Sequence, residues 1–210
     1  MAAWRGRAAL SLALALALST YVSSSRRSET PRNKPRYALA QWMPANRGNH
    51  RALLHLRDAG GADVARAHLT WRLPGLPMQQ RQLVLHAADP ETREELGRVR
   101  NILVLSVSSE AAEIVFEPRA GHSTYLLYYL PYDARRCETG PAASCPMPYL
   151  NRRETANGEW RRRVLAVTRK EGWRLRAPVA SVIAYEARTA RDSFFPMEVA
   201  ATADEASALA

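Results

Sequence analysis

The sequence predicts an all-β fold, and two patterns in it support that prediction. Between residues 40 and 190, short apolar runs alternate with turn signals, and we expect no amphipathic helix of ten or more residues there. Candidate strands are residues 37–42, 51–56, 65–72, 82–87, 101–107, 113–116, 124–130, 163–168 and 179–185. Strands this short and this regularly spaced are typical of a β-sandwich or a β-barrel rather than of βαβ units.

Two of these runs also predict how their strands are buried. In residues 66–72, Ala67, Leu69 and Trp71 alternate with polar neighbours, which predicts one buried and one exposed face. Residues 126–130 read Leu-Leu-Tyr-Tyr-Leu and have no polar face. This second run therefore predicts a central strand that is covered on both sides.

The first residues have the layout of a secretory signal peptide. Arg5 and Arg7 precede an apolar run from Ala8 to Leu18, and small residues follow. The run is shorter than the roughly 20 residues that span a bilayer, and an uncleaved anchor is the alternative. We expect residues 1–22 to be a signal peptide and residues 23–36 a disordered lead-in. The protein would then be secreted, periplasmic or extracellular, with no membrane association after cleavage.

The formal net charge of +10 comes almost entirely from arginine. The basic residues are scattered along the chain, whereas nucleic-acid modules concentrate them on one element beside stacking aromatic residues. We therefore expect no nucleic-acid partner. An anionic glycan or cell-surface polymer suits an exported basic protein better, and the arginines between residues 135 and 163 are the candidate contact region.

Cys137 and Cys145 are the two cysteines of the chain, and they stand in a loop rich in proline, glycine, alanine and serine. In an oxidising compartment this spacing favours a disulfide that closes a small loop, with free thiols as the alternative. No histidine or further cysteine stands at metal-ligand spacing, so we expect no metal and no cofactor.

Five short motifs give the sequence a resemblance to a known family. Residues 115–118 read Val-Phe-Glu-Pro, and residues 121–125 and 128–132 read Gly-His-Ser-Thr-Tyr and Tyr-Tyr-Leu-Pro-Tyr. Glu-Ala-Arg at 186–188 is followed by Asp-Ser-Phe-Phe-Pro-Met-Glu at 192–198. Together these motifs resemble the N-terminal domain of glycoside hydrolase family 123-like proteins. The resemblance implies an antiparallel, jelly-roll-like β-sandwich over residues 37–190.

In that family the sandwich precedes a catalytic (β/α)₈ barrel, which holds the Asp–Glu pair for substrate-assisted cleavage of N-acetylgalactosaminides. The resemblance implies a non-catalytic domain that supports such a barrel or binds carbohydrate. Because a barrel of this kind needs about 250 residues, we expect it to be missing from this chain. The alternative is a fragment of a secreted N-acetylgalactosaminide-cleaving hydrolase. Residues 191–210 are expected to be a truncated helical lead-out, and its domain junction comprises Phe194, Phe195, Pro196, Met197 and Glu198.

The remaining candidates for chemistry are few, and no catalytic residue is predicted. Trp160 and Trp173 border loops among arginines, so we expect them to be exposed. They are the candidates for carbohydrate contact, although core packing is the commoner role of such rings. Glu113 and Glu117 stand at an even offset on one strand face, where ordinary exposed carboxylates are favoured over a catalytic pair. His122 and Ser123 lack the second glycine of a nucleophile elbow and indicate a hairpin turn.

Overall fold

The computed structural model describes residues 35–58, 61–71, 76–133 and 149–189. The strands in these residues are β1 (Arg36–Leu39), β2 (His50–Leu56), β3 (Ala65–Thr70), β4 (Leu83–Ala88), β5 (Glu95–Val99), β6 (Ile102–Val107), β7 (Ala111–Phe116), β8 (Thr124–Tyr129) and β9 (Val179–Ala187). The helices are α1 (Gly158–Thr168), α2 (Trp173–Arg176) and a 3-10 turn at Met78–Gln80. Among these described helices, none has the length and apolar character that crossing a membrane requires.

The strands form one curled sheet in the order β5-β4-β8-β2-β9-β3-β7-β6. Most neighbours are antiparallel, but β9 runs parallel to β3 at residues 179–180 and parallel to β1 at residues 184–187. The prediction of a mostly β fold is confirmed, while the jelly-roll-like sandwich stays a prediction. The prediction of a purely antiparallel sheet is wrong, because β9 enters the sheet after the helical segment and lies alongside two earlier strands that run in its own direction.

The core lies on the inner face of the curled sheet, where side chains from both halves meet. Its fully buried members include Phe116, Tyr125, Tyr129, Leu54, Leu85 and Ile114. Alternation along β3 places Ala67 and Leu69 in this core, and Trp71 follows directly after the strand. The predicted burial of these three residues is therefore confirmed. Because one sheet supplies both walls of the core, its outer face still needs cover of its own.

β8 confirms the prediction of a strand that is covered on both sides. It lies between β4 and β2, and all six of its residues are buried. Tyr125, Leu127 and Tyr129 face the inner core, while Leu126 and Tyr128 belong to a second cluster on the outer face. This second cluster is the floor on which the candidate site is built.

The prediction of a strand at residues 163–168 is wrong, as is the prediction that no helix of ten residues or more occurs. These residues form the second half of the 11-residue helix α1. The Asn157 side chain caps the helix by accepting hydrogen bonds from the backbone amides of Glu159 and Trp160. Trp160 and Val164, four residues apart, form its buried stripe. The spacing was present in the sequence, but the surrounding arginines obscured it.

The sequence analysis did not predict β5, because this strand carries only a weak apolar pattern. Its sequence Glu-Leu-Gly-Arg-Val contains a glycine, and Val99 is its one buried residue. It is an edge strand that pairs with β4. An edge strand buries little, so its sequence shows no strong apolar pattern.

Candidate functional site

A row of polar side chains crosses the otherwise apolar outer face of the sheet. Tyr128 on β8 is paired with Arg51 on β2, and Arg51 is paired in turn with Glu186 on β9. Because paired residues on adjacent strands project from the same face, these three side chains lie side by side. All three are buried, and Glu186 has no exposed surface.

Glu186 is neutralised by two arginines. The Nε of Arg51 donates a hydrogen bond to Oε2 of Glu186 at 2.6 Å, and Nη1 of Arg93 donates to Oε1. The side chain of Arg51 is 5% exposed, whereas that of Arg93 is 35% exposed. A buried carboxylate requires such partners, because an unpaired charge in this environment is strongly unfavourable. Arg93 reaches the pair from a turn in which its φ is 60°.

A second ion pair, between Arg47 and Glu95, lies beside the ion pairs of Glu186. Nε and Nη2 of Arg47 donate to the two carboxylate oxygens of Glu95 at 2.8 and 2.7 Å. Nδ1 of His86 lies 2.9 Å from Oε2 of Glu95. Burial alone would raise the pKa of Glu95, but the hydrogen bonds from Arg47, His86 and Tyr128 outweigh it and hold that pKa well below its usual range.

Tyr128 stands between the two ion pairs. Its hydroxyl accepts a hydrogen bond from Nη1 of Arg51 at 3.4 Å, and the guanidinium of Arg47 lies 5.6 Å from the centre of its ring. Burial raises the pKa of Tyr128 to about 12, although the hydrogen bond from Arg51 opposes the shift. The phenol is therefore neutral across the physiological range.

The segment at residues 40–48 covers this polar row. The guanidinium of Arg51 lies 4.5 Å from the centre of the Trp42 ring, and Nε1 of Trp42 donates to the carbonyl oxygen of Gly48 at 2.9 Å. Gly48 has a φ of 76°, and a Cβ there would lie 2.3 Å from the carbonyl oxygen of Leu130. Arg188 fixes the segment from the other side, where its Nε donates to the carbonyl oxygen of Trp42 at 3.0 Å.

Above the polar row lies a solvent-open cleft of about 590 Å³, which we call the charged cleft; its lining includes Trp42, Arg47, Arg51, Arg93, Glu95 and Tyr128. Its walls are the segment around Trp42 and the turn at residues 92–95, and Arg51 and Tyr128 line it between them. The carboxylates that form its ion pairs, Glu95 and Glu186, are each held by arginine. A general acid needs a raised pKa, so Glu95 is unsuited to that role. The arrangement suits a structural ion-pair network.

The prediction that Trp160 and Trp173 are exposed is wrong. Their residues are 2% and 5% exposed, and they pack with Leu103, Val115 and Val164 beneath α1. Nε1 of Trp160 donates to the carbonyl oxygen of Asp63 at 3.0 Å. Since neither indole offers an open face, the predicted carbohydrate contacts lose their physical basis. The helix that buries them was itself missed by the sequence reading.

The other predicted residues fall into two groups. Cys137, Cys145 and the junction residues Phe194 to Glu198 lie outside the described residues, so the disulfide and the junction stay predictions. The strand carboxylates Glu113 and Glu117 bind different partners. Arg174 donates two hydrogen bonds to Glu113 at 2.8 and 2.9 Å, and Asn101 donates to Glu117 at 2.5 Å.

His122 closes a turn, where its backbone amide donates to the carbonyl oxygen of Arg119 at 3.1 Å. The predicted turn is confirmed, but the prediction that it belongs to a hairpin is wrong, because β7 and β8 on either side of it pair with other strands. Within the described ranges, no group of three or more histidine, cysteine or acidic side chains is arranged to hold a metal ion.

The residues of the charged cleft were not predicted from the sequence. Arg51 and Glu186 are single charged residues in the apolar strands His-Arg-Ala-Leu-Leu-His-Leu and Val-Ala-Ser-Val-Ile-Ala-Tyr-Glu-Ala. Two charged residues of opposite sign, each alone in a buried strand, indicate a buried ion pair. This pattern could have identified Arg51 and Glu186 from the sequence.

The fold and the cleft thus describe a β-rich domain whose buried charges neutralise one another. The family described as "Glycoside hydrolase 123, N-terminal domain" matches residues 40–188, which is most of the chain. The chain therefore belongs to this family, and the resemblance seen in the motifs is confirmed. No curated protein and no solved structure matches the chain. The matched range includes every residue of the polar row and of the segment that covers it.

Proposed function

We propose that this domain is a non-catalytic accessory module of a glycoside hydrolase 123-like protein, and that it gives structural support to a catalytic barrel. The observation that supports this most is the match to the N-terminal domain of the family over residues 40–188. The chemistry of the charged cleft supports it independently.

Two carboxylates of the domain, Glu95 and Glu113, are bound in ways that suit structure rather than catalysis. Glycosidic chemistry of the usual kind needs one carboxyl group with a raised pKa, to protonate the leaving oxygen, and a second group nearby. Glu95 and Glu113 each accept two hydrogen bonds from one arginine. Those bonds outweigh burial in both cases and lower the pKa of each carboxyl group. Both groups are therefore ionised at neutral pH, when a general acid would have to hold a proton.

The burial of Trp160 and Trp173 favours structural support over carbohydrate stacking by these two rings. A ring that stacks on a sugar has to present an open face. Here the indoles hold α1 and α2 on the outer face of β6 and β7. The two tryptophans therefore serve to assemble the domain itself.

The direct test is hydrolysis by the purified chain of chromogenic N-acetylgalactosaminides of both anomers. We expect no release of chromophore above the buffer rate, and no change in the variants Glu95→Gln and Glu186→Gln. Hydrolysis by the wild-type chain above the buffer rate would overturn the proposal. Its loss in a variant that circular dichroism shows to be folded would assign the activity to a carboxylate of the charged cleft.

A second candidate is that the chain is part of an exported hydrolase that cleaves N-acetylgalactosaminides. The family match favours it, because the family is described as the N-terminal domain of glycoside hydrolase 123. In that case the activity should belong to a complete protein that contains these residues, and the intact mass of the native product would exceed that of the 210-residue chain. A native product of 210 residues or fewer without hydrolytic activity would contradict this second candidate.

A further inference from the structure

A second group of arginines lies next to the charged cleft and lines a groove and a cavity of its own. A groove of about 590 Å³ is lined by Arg98, Arg153, Gln82 and Asn151, among others, and it shares Arg47 with the charged cleft. A smaller cavity of about 80 Å³ is lined by Arg81 and Arg152 and shares Gln82 and Arg153 with the groove. We call the two together the arginine groove.

Positive charge in the arginine groove is not balanced by its own carboxylates. Five arginines line it, against Asp133 and Glu154. Arg47 is neutralised by Glu95, and Glu154 is shared with Arg161 at 3.5 Å. Asp133 offsets one further charge, so Arg81, Arg98, Arg152 and Arg153 together leave the groove with an excess of positive charge.

Two of these arginines are suited to bind a ligand. One has a donor without a partner among the described residues, and the other lies among like charges. Nε of Arg81 is buried and has no hydrogen-bond partner in that part of the chain. Desolvation in the groove wall lowers the pKa of Arg98, and the positive charges of Arg100 and Arg47 lower it further. A guanidinium that lies among like charges remains fully charged at neutral pH. It is therefore ready to bind an anion.

We propose that the arginine groove binds an acidic polysaccharide through its carboxylate or sulfate groups. Guanidinium groups bind planar or tetrahedral oxyanions through paired N–H donors. The exposed amide of Asn151 lies in the same wall and suits the hydroxyl groups of a sugar, while Gln82 is buried and holds the wall by accepting a hydrogen bond from the backbone amide of Arg153 at 2.6 Å. Each exposed ion pair contributes little, so measurable affinity requires several anions on one ligand.

A nucleic acid is the less suitable polyanion. Binding of single strands relies on aromatic side chains on which bases stack. Tyr149 is the aromatic residue among the described residues that line the groove, and the guanidinium of Arg81 lies 5.3 Å from the centre of its ring. One face of this ring is thus already covered. The inference assigns a ligand to the accessory domain proposed above, but binding is measured separately from hydrolysis, so the two proposals can fail independently.

The test is calorimetric titration of the intact chain with a heparin-derived octasaccharide, with a hyaluronan octasaccharide and with an eight-nucleotide single-stranded DNA. The double variant Arg98→Gln/Arg153→Gln removes two groove cations. Arg36→Gln/Arg169→Gln is the matched control, because it removes the same charge from exposed residues that do not line the groove. Thermal unfolding verifies that both variants are folded, and Arg98→Lys/Arg153→Lys keeps the charge while removing the paired donors.

We expect the groove variant to bind the heparin octasaccharide about tenfold more weakly than the wild-type chain, and the control to bind within about twofold of it. The lysine variant should fall between them, and raising the salt concentration should weaken wild-type binding. Binding of hyaluronan as well would assign the carboxylate, and binding of heparin alone would assign the sulfate. Equal weakening in both glutamine variants, no binding of either glycan, or tighter groove-dependent binding of the DNA would overturn the proposal.

Discussion

Replacement of Glu186 by glutamine perturbs the polar row at its most buried charge. The side chain of Glu186 is fully buried, and it accepts hydrogen bonds from Arg51 and Arg93. Glutamine keeps the size of the side chain and one acceptor oxygen, but it removes the negative charge. Arg93, which is 35% exposed, can turn toward solvent, whereas Arg51, which is 5% exposed, cannot. The variant therefore leaves one buried and uncompensated guanidinium.

The expected loss follows from that difference in burial. Removal of one partner of a buried ion pair costs about 3–5 kcal/mol of the free energy of unfolding. Glu159→Gln is the matched control, because Glu159 pairs with Arg163 on the surface of α1 and its side chain is 71% exposed. An exposed pair of this kind contributes about 0.5 kcal/mol or less. The two substitutions make the same chemical change and differ in burial.

The assay is urea unfolding followed by circular dichroism at neutral pH. We expect Glu186→Gln to lower the free energy of unfolding by about 3 kcal/mol or more. Removing the stranded cation in Arg51→Met/Glu186→Gln should recover about 1 kcal/mol or more of that loss. A loss below about 1 kcal/mol for Glu186→Gln, or a double variant less stable than Glu186→Gln alone, would refute the reasoning.

Two further predictions concern acid stability and the buried indole. The pKa of Glu95 is lowered from an ordinary value of 4.5, so its contribution to the free energy of unfolding is fully present above that pH and is lost as the pH falls through the lowered value. Urea unfolding between pH 7 and pH 3 should therefore show a smaller acid loss in Glu95→Gln than in the wild-type chain; equal losses would contradict this. Trp160→Ala should lower the free energy of unfolding by about 3–5 kcal/mol, because the indole is buried against Val115 and Val164. A change below about 1 kcal/mol would indicate that the ring is not part of the core.

The sequence predicted strands well where burial is strong and alternation is clear. β3 was predicted because its apolar positions follow the strand period, and β8 was predicted because its continuous apolar run indicates burial on both faces. α1 was misread because its buried stripe consists of Trp160 and Val164 among arginines and exposed residues, which is too sparse to stand out. The direction of β9 was not predictable locally, since a strand carries no pattern that separates parallel from antiparallel pairing.

The charged cleft required information that is not local in sequence. Arg51 and Glu186 are 135 residues apart, and they meet because β2 and β9 are neighbours in this register. Each residue by itself indicated only an isolated charge in an apolar strand. The family motif Glu-Ala-Arg at residues 186–188 did contain the right residues, because Glu186 neutralises Arg51 and Arg188 holds the segment that covers it. Their role became visible only with the sheet.

Titration of the carboxyl groups by carbon-13 NMR tests most directly the claim that these carboxylates support structure rather than catalysis. The hydrogen bonds from Arg47, His86 and Tyr128 to Glu95, and those from Arg174 to Glu113, predict that both groups stay ionised as the pH falls below 4.5. We expect neither resonance to shift between pH 7 and pH 5. A carboxyl group of either residue that titrated at about pH 6 would have the property of a general acid and would contradict the account.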